Sequence, residues 1–155
     1  MDELKILVTH KEGVRLPSYE TSSSAGMDLA AFLEQPVTLK PFERALIPTG
    51  IHVSIPEGYE AEIRPRSGMA YKFGITVLNT PGTIDSDYRG EIKVILINLG
   101  NNPYVIQNGD RIAQIIFKNI VRARWAVVET LPETERGEGG FGSTGINMLK
   151  QHDNT

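Results

Sequence analysis

Short apolar runs, cut at close intervals by proline and glycine, leave this chain little room for long helices. The first run is Leu4-Lys5-Ile6-Leu7-Val8-Thr9. Ala45-Leu46-Ile47 and Ile51-His52-Val53-Ser54-Ile55 follow, divided by Pro48-Thr49-Gly50. Tyr59-Glu60-Ala61-Glu62-Ile63-Arg64 alternates with period two, as a half-buried strand does. Glu91-Ile92-Lys93-Val94-Ile95-Leu96-Ile97-Asn98-Leu99 reads as a more fully buried strand, stopped by Gly100-Asn101-Asn102-Pro103. Residues 112–121 and 125–131 close the set, and Trp125 in the last run reads as core or interface. The best helix signal is a short turn over Ser67-Gly68-Met69-Ala70-Tyr71-Lys72. Many short strands joined by Gly and Pro turns describe an all-β sandwich or barrel.

At 155 residues the chain is long enough for one hydrophobic core. That core is expected within residues 1–131. From Pro132 the sequence turns polar, with five glycines between Gly137 and Gly145, and residues 132–155 read as an arm without a core of its own. The net charge of −3 argues against a nucleic-acid partner, which calls for a basic face. No apolar run approaches the roughly 18 residues of a membrane span, so no membrane partner is expected. Cysteine is absent, which removes disulfides, thiol catalysis and Cys-based zinc sites. The opening Met1-Asp2-Glu3-Leu4-Lys5 lacks the pattern of a secretory or transit segment, and a cytoplasmic location is the expectation. His10, His52 and His152 stand far apart, so no histidine metal site is expected.

Five segments carry residue types that chemistry uses more than packing does. They are Ala25-Gly26-Met27-Asp28-Leu29, Arg64-Pro65-Arg66-Ser67-Gly68, the stretch from Asn79 through Asp85-Ser86-Asp87-Tyr88-Arg89 to Gly90, Gly109-Asp110-Arg111-Ile112-Ala113-Gln114, and the stretch from Arg136 to Gly145. Arg66-Ser67-Gly68 supplies a guanidinium, a hydroxyl and a bare amide in sequence, which suits a phosphate cradle and equally a solvated turn. Asp85 and Asp87 around Ser86 fit a catalytic carboxylate or an Asx turn, and Asp28 fits a turn or cap. The arm matches Gly-x-Gly-x-x-Gly from Gly137 and again from Gly140. It follows no strand and opens no helix of a βαβ unit, which rules out a dinucleotide fold, and no Gly-Lys-Ser/Thr completes a P-loop. A lid whose amides and Arg136 meet phosphate fits better, with Phe141 free to stack on a planar base.

In this order and spacing the five segments resemble the five motifs of the trimeric dUTP nucleotidohydrolases, over residues 25–145. Thr83 is a small departure, since the family more often has valine or leucine there. The resemblance implies a distorted β jelly roll of the β-clip type and a homotrimer. Its active sites would lie between subunits, each closed by a C-terminal arm from a neighbour. It implies hydrolysis of dUTP to dUMP and pyrophosphate by water attack on the α-phosphorus, which limits uracil in DNA and supplies dUMP for thymidylate synthesis.

Carried over by position, Asp85 is the general base, which needs only hydrogen-bond reach to the attacking water. Tyr88 packs on the deoxyribose and leaves no space for a 2′-hydroxyl. Asn79, with backbone groups of Gly82, Thr83, Ile84 and Lys93, faces uracil and sugar within a tight hairpin. Arg66, Ser67, Gly68 and Gln114 hold the α- and β-phosphates. Arg136, Gly142 and Ser143 bind the γ end, and Phe141 stacks over the uracil. Mg²⁺ bridges the phosphates, with Asp28 reaching it through water, while Asp110 and Arg111 shape the site. Two rivals share these motifs in part. A dCTP deaminase of the same fold would use a glutamate such as Glu91, and a non-catalytic nucleotide-binding trimer would be expected to lose Asp85 or the arm.

Overall fold

The computed structural model describes residues 3–147. The chain divides into two units, residues 1–121 and residues 122–155. Every strand among the described residues belongs to the first. In chain order they are β1 (Leu7–His10), β2 (Met27–Ala30), β3 (Val37–Leu39), β4 (Arg44–Pro48), β5 (Ile51–Ser54) and β6 (Tyr59–Arg64). After the helix α1 (Ser67–Phe73) come β7 (Ile75–Val77), β8 (Gly82–Ile84), β9 (Lys93–Asn98), β10 (Tyr104–Ile106) and β11 (Arg111–Asn119).

All the ladders are antiparallel, in sheets ordered β1-β5, β3-β10, β4-β9-β7 and β2-β11-β6-β8. One continuous core of aliphatic side chains lies between them, Leu29, Ile47, Ile63, Ile75, Ile92, Leu96, Ile106 and Ile115 among its members. Each such side chain, fully buried, contributes about 1.5–3 kcal/mol of transfer free energy. The core is cross-tied by a few buried polar groups with their partners in place. Asn98 donates to the Leu39 carbonyl at 2.9 Å and the Asn102 carbonyl at 2.8 Å. The Thr49 hydroxyl donates to the Ile92 carbonyl at 2.6 Å, tying the β4–β5 turn to the start of β9.

Local differences from the sequence reading have physical causes. The run at 125–131 forms no strand, and Trp125 and Val127 are 93% and 98% exposed. It is apolar enough for a strand, but among the described residues it joins no ladder. β6 does not alternate between core and solvent, because it is an inner strand, and Glu62 on its second face is covered by Arg64 and Lys118. Conversely β9, read as fully buried, alternates, with Val94, Leu96 and Asn98 inward and Ile95 and Ile97 only half covered. The turn signal at 67–72 is a helix, closed by Gly74 in the left-handed conformation at φ 70°, whose amide bonds back to Ala70. A side chain at Gly74 would collide with the Gly100 backbone, so only glycine fits there.

Candidate active site

The four-stranded sheet explains how segments far apart in sequence become neighbours. On β11, Gln114 stands in register opposite Asp28 of β2 on one side and Arg64 of β6 on the other. Its side-chain amide donates to the Pro65 carbonyl at 3.0 Å and so fixes the chain just before Arg66. Gly26 makes room for this, since a Cβ there would lie 2.7 Å from the Gln114 amide oxygen. Arg66 is the N-cap residue of α1, with extended backbone. Its Nε lies 3.2 Å from Asp28, and its Nη1 donates to the Arg111 carbonyl at 3.0 Å. Arg111 Nη1 approaches the other Asp28 oxygen at 3.1 Å and Glu20 at 3.5 Å. Asp110 accepts from the Gln107 amide at 2.8 Å and shapes the turn into β11. The concavity beside these pairs is lined by Arg66, Lys72 and Arg111 against the single acid Asp110, which leaves its lining cationic. Burial, followed by the nearby Asp110 charge, pushes the Tyr104 hydroxyl above its ordinary pKa on that wall. Ser67 opens α1, and Gly68 is exposed, with nothing within 4 Å of the place a Cβ would take.

A second concavity, of about 250 Å³, is lined by Asn79, Gly82, Thr83, Ile84, Asp85, Tyr88 and Lys93, with Ile63, Val77, Ile92 and Val94 behind them. The expected hairpin is wide, not a tight two-strand turn: β7 and β9 are antiparallel partners, and residues 78–92 lie between them. β7 pairs with β9 and β8 pairs with β6, so residues 78–81 turn a corner from one sheet to the next. The corner is held by the Leu78 amide, which donates to Ile95 at 2.9 Å, and by the Thr80 amide, which donates to Val77 at 3.2 Å. Gly82 is buried, and a Cβ on it would press on the Asn79 amide and on Ile63, each at 3.3 Å. Asp85 is exposed at the rim, and its carboxylate meets no cation among the described residues. The Tyr88 ring turns back over Gly90 and its hydroxyl donates to the Glu91 carbonyl at 2.9 Å.

The two concavities share no lining residue. Ile84 of β8 stands opposite Ala61, and Arg66 lies five residues further along that chain, or roughly 15 Å of extended backbone. Asp85 follows Ile84 in the opposite direction, so the rim carboxylate and the Arg66 cluster lie at opposite ends of β6.

In the arm, residues 132–147 run through successive turns with neither helix nor strand. Arg136 Nε donates to the Gly139 carbonyl at 2.7 Å, and the Ser143 amide donates to Gly140 at 3.0 Å. Phe141 is fully exposed at φ 48°, followed by Gly142 at φ 90°. Residues 148–155, with His152, lie outside the described part.

A family model described as dUTPase matches residues 12–145. The chain belongs to the dUTPase family. A deoxyuridine 5′-triphosphate nucleotidohydrolase of Fusobacterium nucleatum is 55% identical over 145 residues, spanning 94% of this chain and 99% of that protein. Among solved structures, the dUTPase of Staphylococcus bacteriophage 80alpha with dUpNHpp matches with a TM-score of 0.83 at 29% identity, covering 92% of this chain and 99% of that one. A mutant dUTPase of phage phi11 of S. aureus, described with a structural Mg(II) ion, matches with a TM-score of 0.74 at 26% identity, over 83% of this chain and 99% of that one. The short antiparallel sheets around one core are thus the jelly-roll-like fold of this family.

Two contributors to the second concavity and its loop went unread in the sequence. Glu91 lines the second concavity with its side chain only 10% exposed; one oxygen lies 3.1 Å from Lys11 and the other has no partner. An acid directly before a long apolar run was the available signal, and it had suggested only the deaminase rival. His52 Nδ1 donates to the Arg89 carbonyl at 2.9 Å and braces the Asp85–Gly90 loop from β5. Nothing in the local sequence around His52 points to that contact, because the loop it braces is distant in the chain.

Proposed function

We propose that the second concavity receives the deoxyuridine and that the Asp28–Arg66–Arg111 face receives the phosphates. The chain is a dUTP diphosphatase, hydrolysing dUTP to dUMP and pyrophosphate. The observation that carries this division is that Asp85 and Tyr88 share one concavity with Asn79, Gly82 and Lys93. Uracil is flat and neutral, and fixed backbone groups of Gly82, Thr83, Ile84 and Lys93 read its edge together with Asn79. Asp85 at the rim takes the proton from the water that attacks the α-phosphorus. Tyr88 covers the sugar face, and a 2′-hydroxyl meets its ring.

The α- and β-phosphates are held by Arg66, Ser67, Gly68 and Gln114. Because Asp85 and Arg66 stand at opposite ends of β6, these groups serve one α-phosphorus only if they come from different chains. A homotrimer with a site at each interface meets that requirement. The exposed apolar run at 125–131 supports the same reading, since it finds cover on a second copy. The arm then closes a neighbour's site, with Arg136, Gly142 and Ser143 on the γ-phosphate and Phe141 over the uracil. Closure excludes bulk water and completes the charge clamp.

Among the described residues no three acidic or histidine side chains converge into a metal cage, and Asp28 already faces two guanidiniums. That donor set fits a Mg²⁺ that arrives with the triphosphate, takes most of its ligands from phosphate and water, and meets Asp28 through water. Bound there, the ion neutralises charge on the phosphates.

The test is pyrophosphate release from dUTP, dTTP, dCTP and UTP with Mg²⁺ present. dUTP is expected to lead the others by about a hundredfold or more in kcat/KM. Comparable turnover of dCTP with ammonia release would replace this reading with a deaminase.

A further inference from the structure

We propose that Gly90 is the seat of the Tyr88 ring, and that its missing side chain sets the selectivity for deoxyribose. The inference rests on the proposed role of Tyr88 at the sugar. Gly90 is not in the left-handed backbone region, so the local conformation does not itself demand glycine. The space above it does. A Cβ at position 90 would lie 2.5 Å from Tyr88 Cζ and 2.8 Å from Cε2, and closer still to Oη. Ordinary carbon contacts are about 3.5–4 Å, so an alanine methyl and the ring cannot both keep their places.

Which of the two yields is decided by what holds each. The backbone beside Gly90 is anchored on both sides. The Ile92 amide donates to Ile51 at 2.8 Å, the Ile92 carbonyl accepts from the Thr49 hydroxyl at 2.6 Å, and His52 bonds the Arg89 carbonyl at 2.9 Å. The ring is half-exposed and held at its tip by one hydrogen bond, from Oη to the Glu91 carbonyl at 2.9 Å. The ring therefore moves, by about 1 Å or more, which is enough to break that bond. It moves outward from its seat on the wall that the sugar is to meet. A ring set at the wrong height no longer excludes a 2′-hydroxyl without also crowding the deoxyribose.

The experiment measures kcat/KM for dUTP and for UTP, with Mg²⁺, in the full-length protein and in Gly90→Ala, Tyr88→Ala and the double variant. Gly90→Ala is expected to lower the dUTP-to-UTP ratio by about tenfold or more. Tyr88→Ala should lower it as well, and the double variant should be no less selective than Tyr88→Ala alone, because the methyl then has nothing to displace. If Tyr88→Ala leaves the ratio unchanged, the reading of Tyr88 at the sugar fails. If Tyr88→Ala lowers the ratio and Gly90→Ala does not, the seat alone is overturned. Should Gly90→Ala lose its fold, a folded double variant places the conflict between methyl and ring and supports the seat. Loss of fold in both overturns it.

Discussion

The corner between β7 and β8 and the cationic face beside α1 are built differently, and under the proposed function they would recognise by different physics. The corner is walled by Ile63, Val77, Ile92 and Val94, and its backbone is fixed by the ladders on either side, with Asn79, Asp85 and Tyr88 as polar side chains along it. The cationic face is built from long side chains, Arg66 and Arg111, converging on Asp28 and still partly open to water. A neutral heterocycle offers only hydrogen bonds and shape, so its partner must be rigid and dry. A phosphate chain offers charge, which long, adjustable guanidiniums neutralise without a close fit. On the proposed function, the corner would thus carry discrimination and the cationic face affinity.

The largest effect is expected at the corner's rim. Asp85→Asn should lower kcat by on the order of 10²-fold or more while dUTP binding is kept, since the amide preserves shape and loses the base. Near-normal turnover in this variant would remove Asp85 from the chemistry and leave the corner a binding surface only. Next in size is recovery by mixing. Asp85→Asn and Arg66→Ala protomers, unfolded and refolded together in equal amounts, should regain about a quarter of the native activity if each site takes its corner and its cationic face from different chains of a symmetric oligomer. No recovery above the two separate variants would mean that both groups act from one chain, against the separation along β6.

Arg66→Ala by itself sharpens the contrast in a smaller way. Losing a charge-assisted bond to phosphate should cost about 10–100-fold in kcat/KM. The remaining dependence of KM on salt should be shallower than in the native protein, while the preference for dUTP over dCTP stays where it was. A changed base preference would show that the two regions do not divide the work as argued.

The chemical residue types of both regions could be read from the sequence, and their geometry could not. Asp85, Arg66 and Gly68 stand out because aspartate, arginine and glycine in turns have little to do with a core. That Asp28, Gln114 and Arg64 share one line across a sheet follows from pairing between strands more than eighty residues apart in the chain, as Asp28↔Gln114 is, and no local pattern reports it. That the hairpin is a wide one, with β8 crossing from the β7–β9 pair to β6, depends on those distant partners, and its turn chemistry does not report it. Trp125 to Leu131 failed for the opposite reason, since its pattern is that of a strand while it joins no ladder among the described residues. Glu62, read as a solvent-facing position, is covered because the side chains beside it are cations.

That last carboxylate lies between the two regions, and it yields the smallest prediction. Glu62 stands opposite Thr83 of the corner strand, and its oxygens meet Arg64 Nε at 2.8 Å and Lys118 Nζ at 3.0 Å. Hydrogen bonds from Arg64, and then from Lys118, hold its pKa below the ordinary value of 4.5. A carboxylate whose folded pKa is depressed stabilises the fold fully above its unfolded pKa. That contribution fades as pH falls from there through the lowered folded value. Glu62→Gln should therefore melt below the native protein near neutral pH, by at most a few degrees because Arg64 and Lys118 remain partly in water. The gap should narrow as pH falls below about 4.5, where the unfolded chain takes up the proton first. Calorimetric scans of the two proteins across that range are the measurement. A gap that stays constant with pH would mean that Glu62 joins corner to cationic face by packing alone, and that charge is confined to the phosphate side.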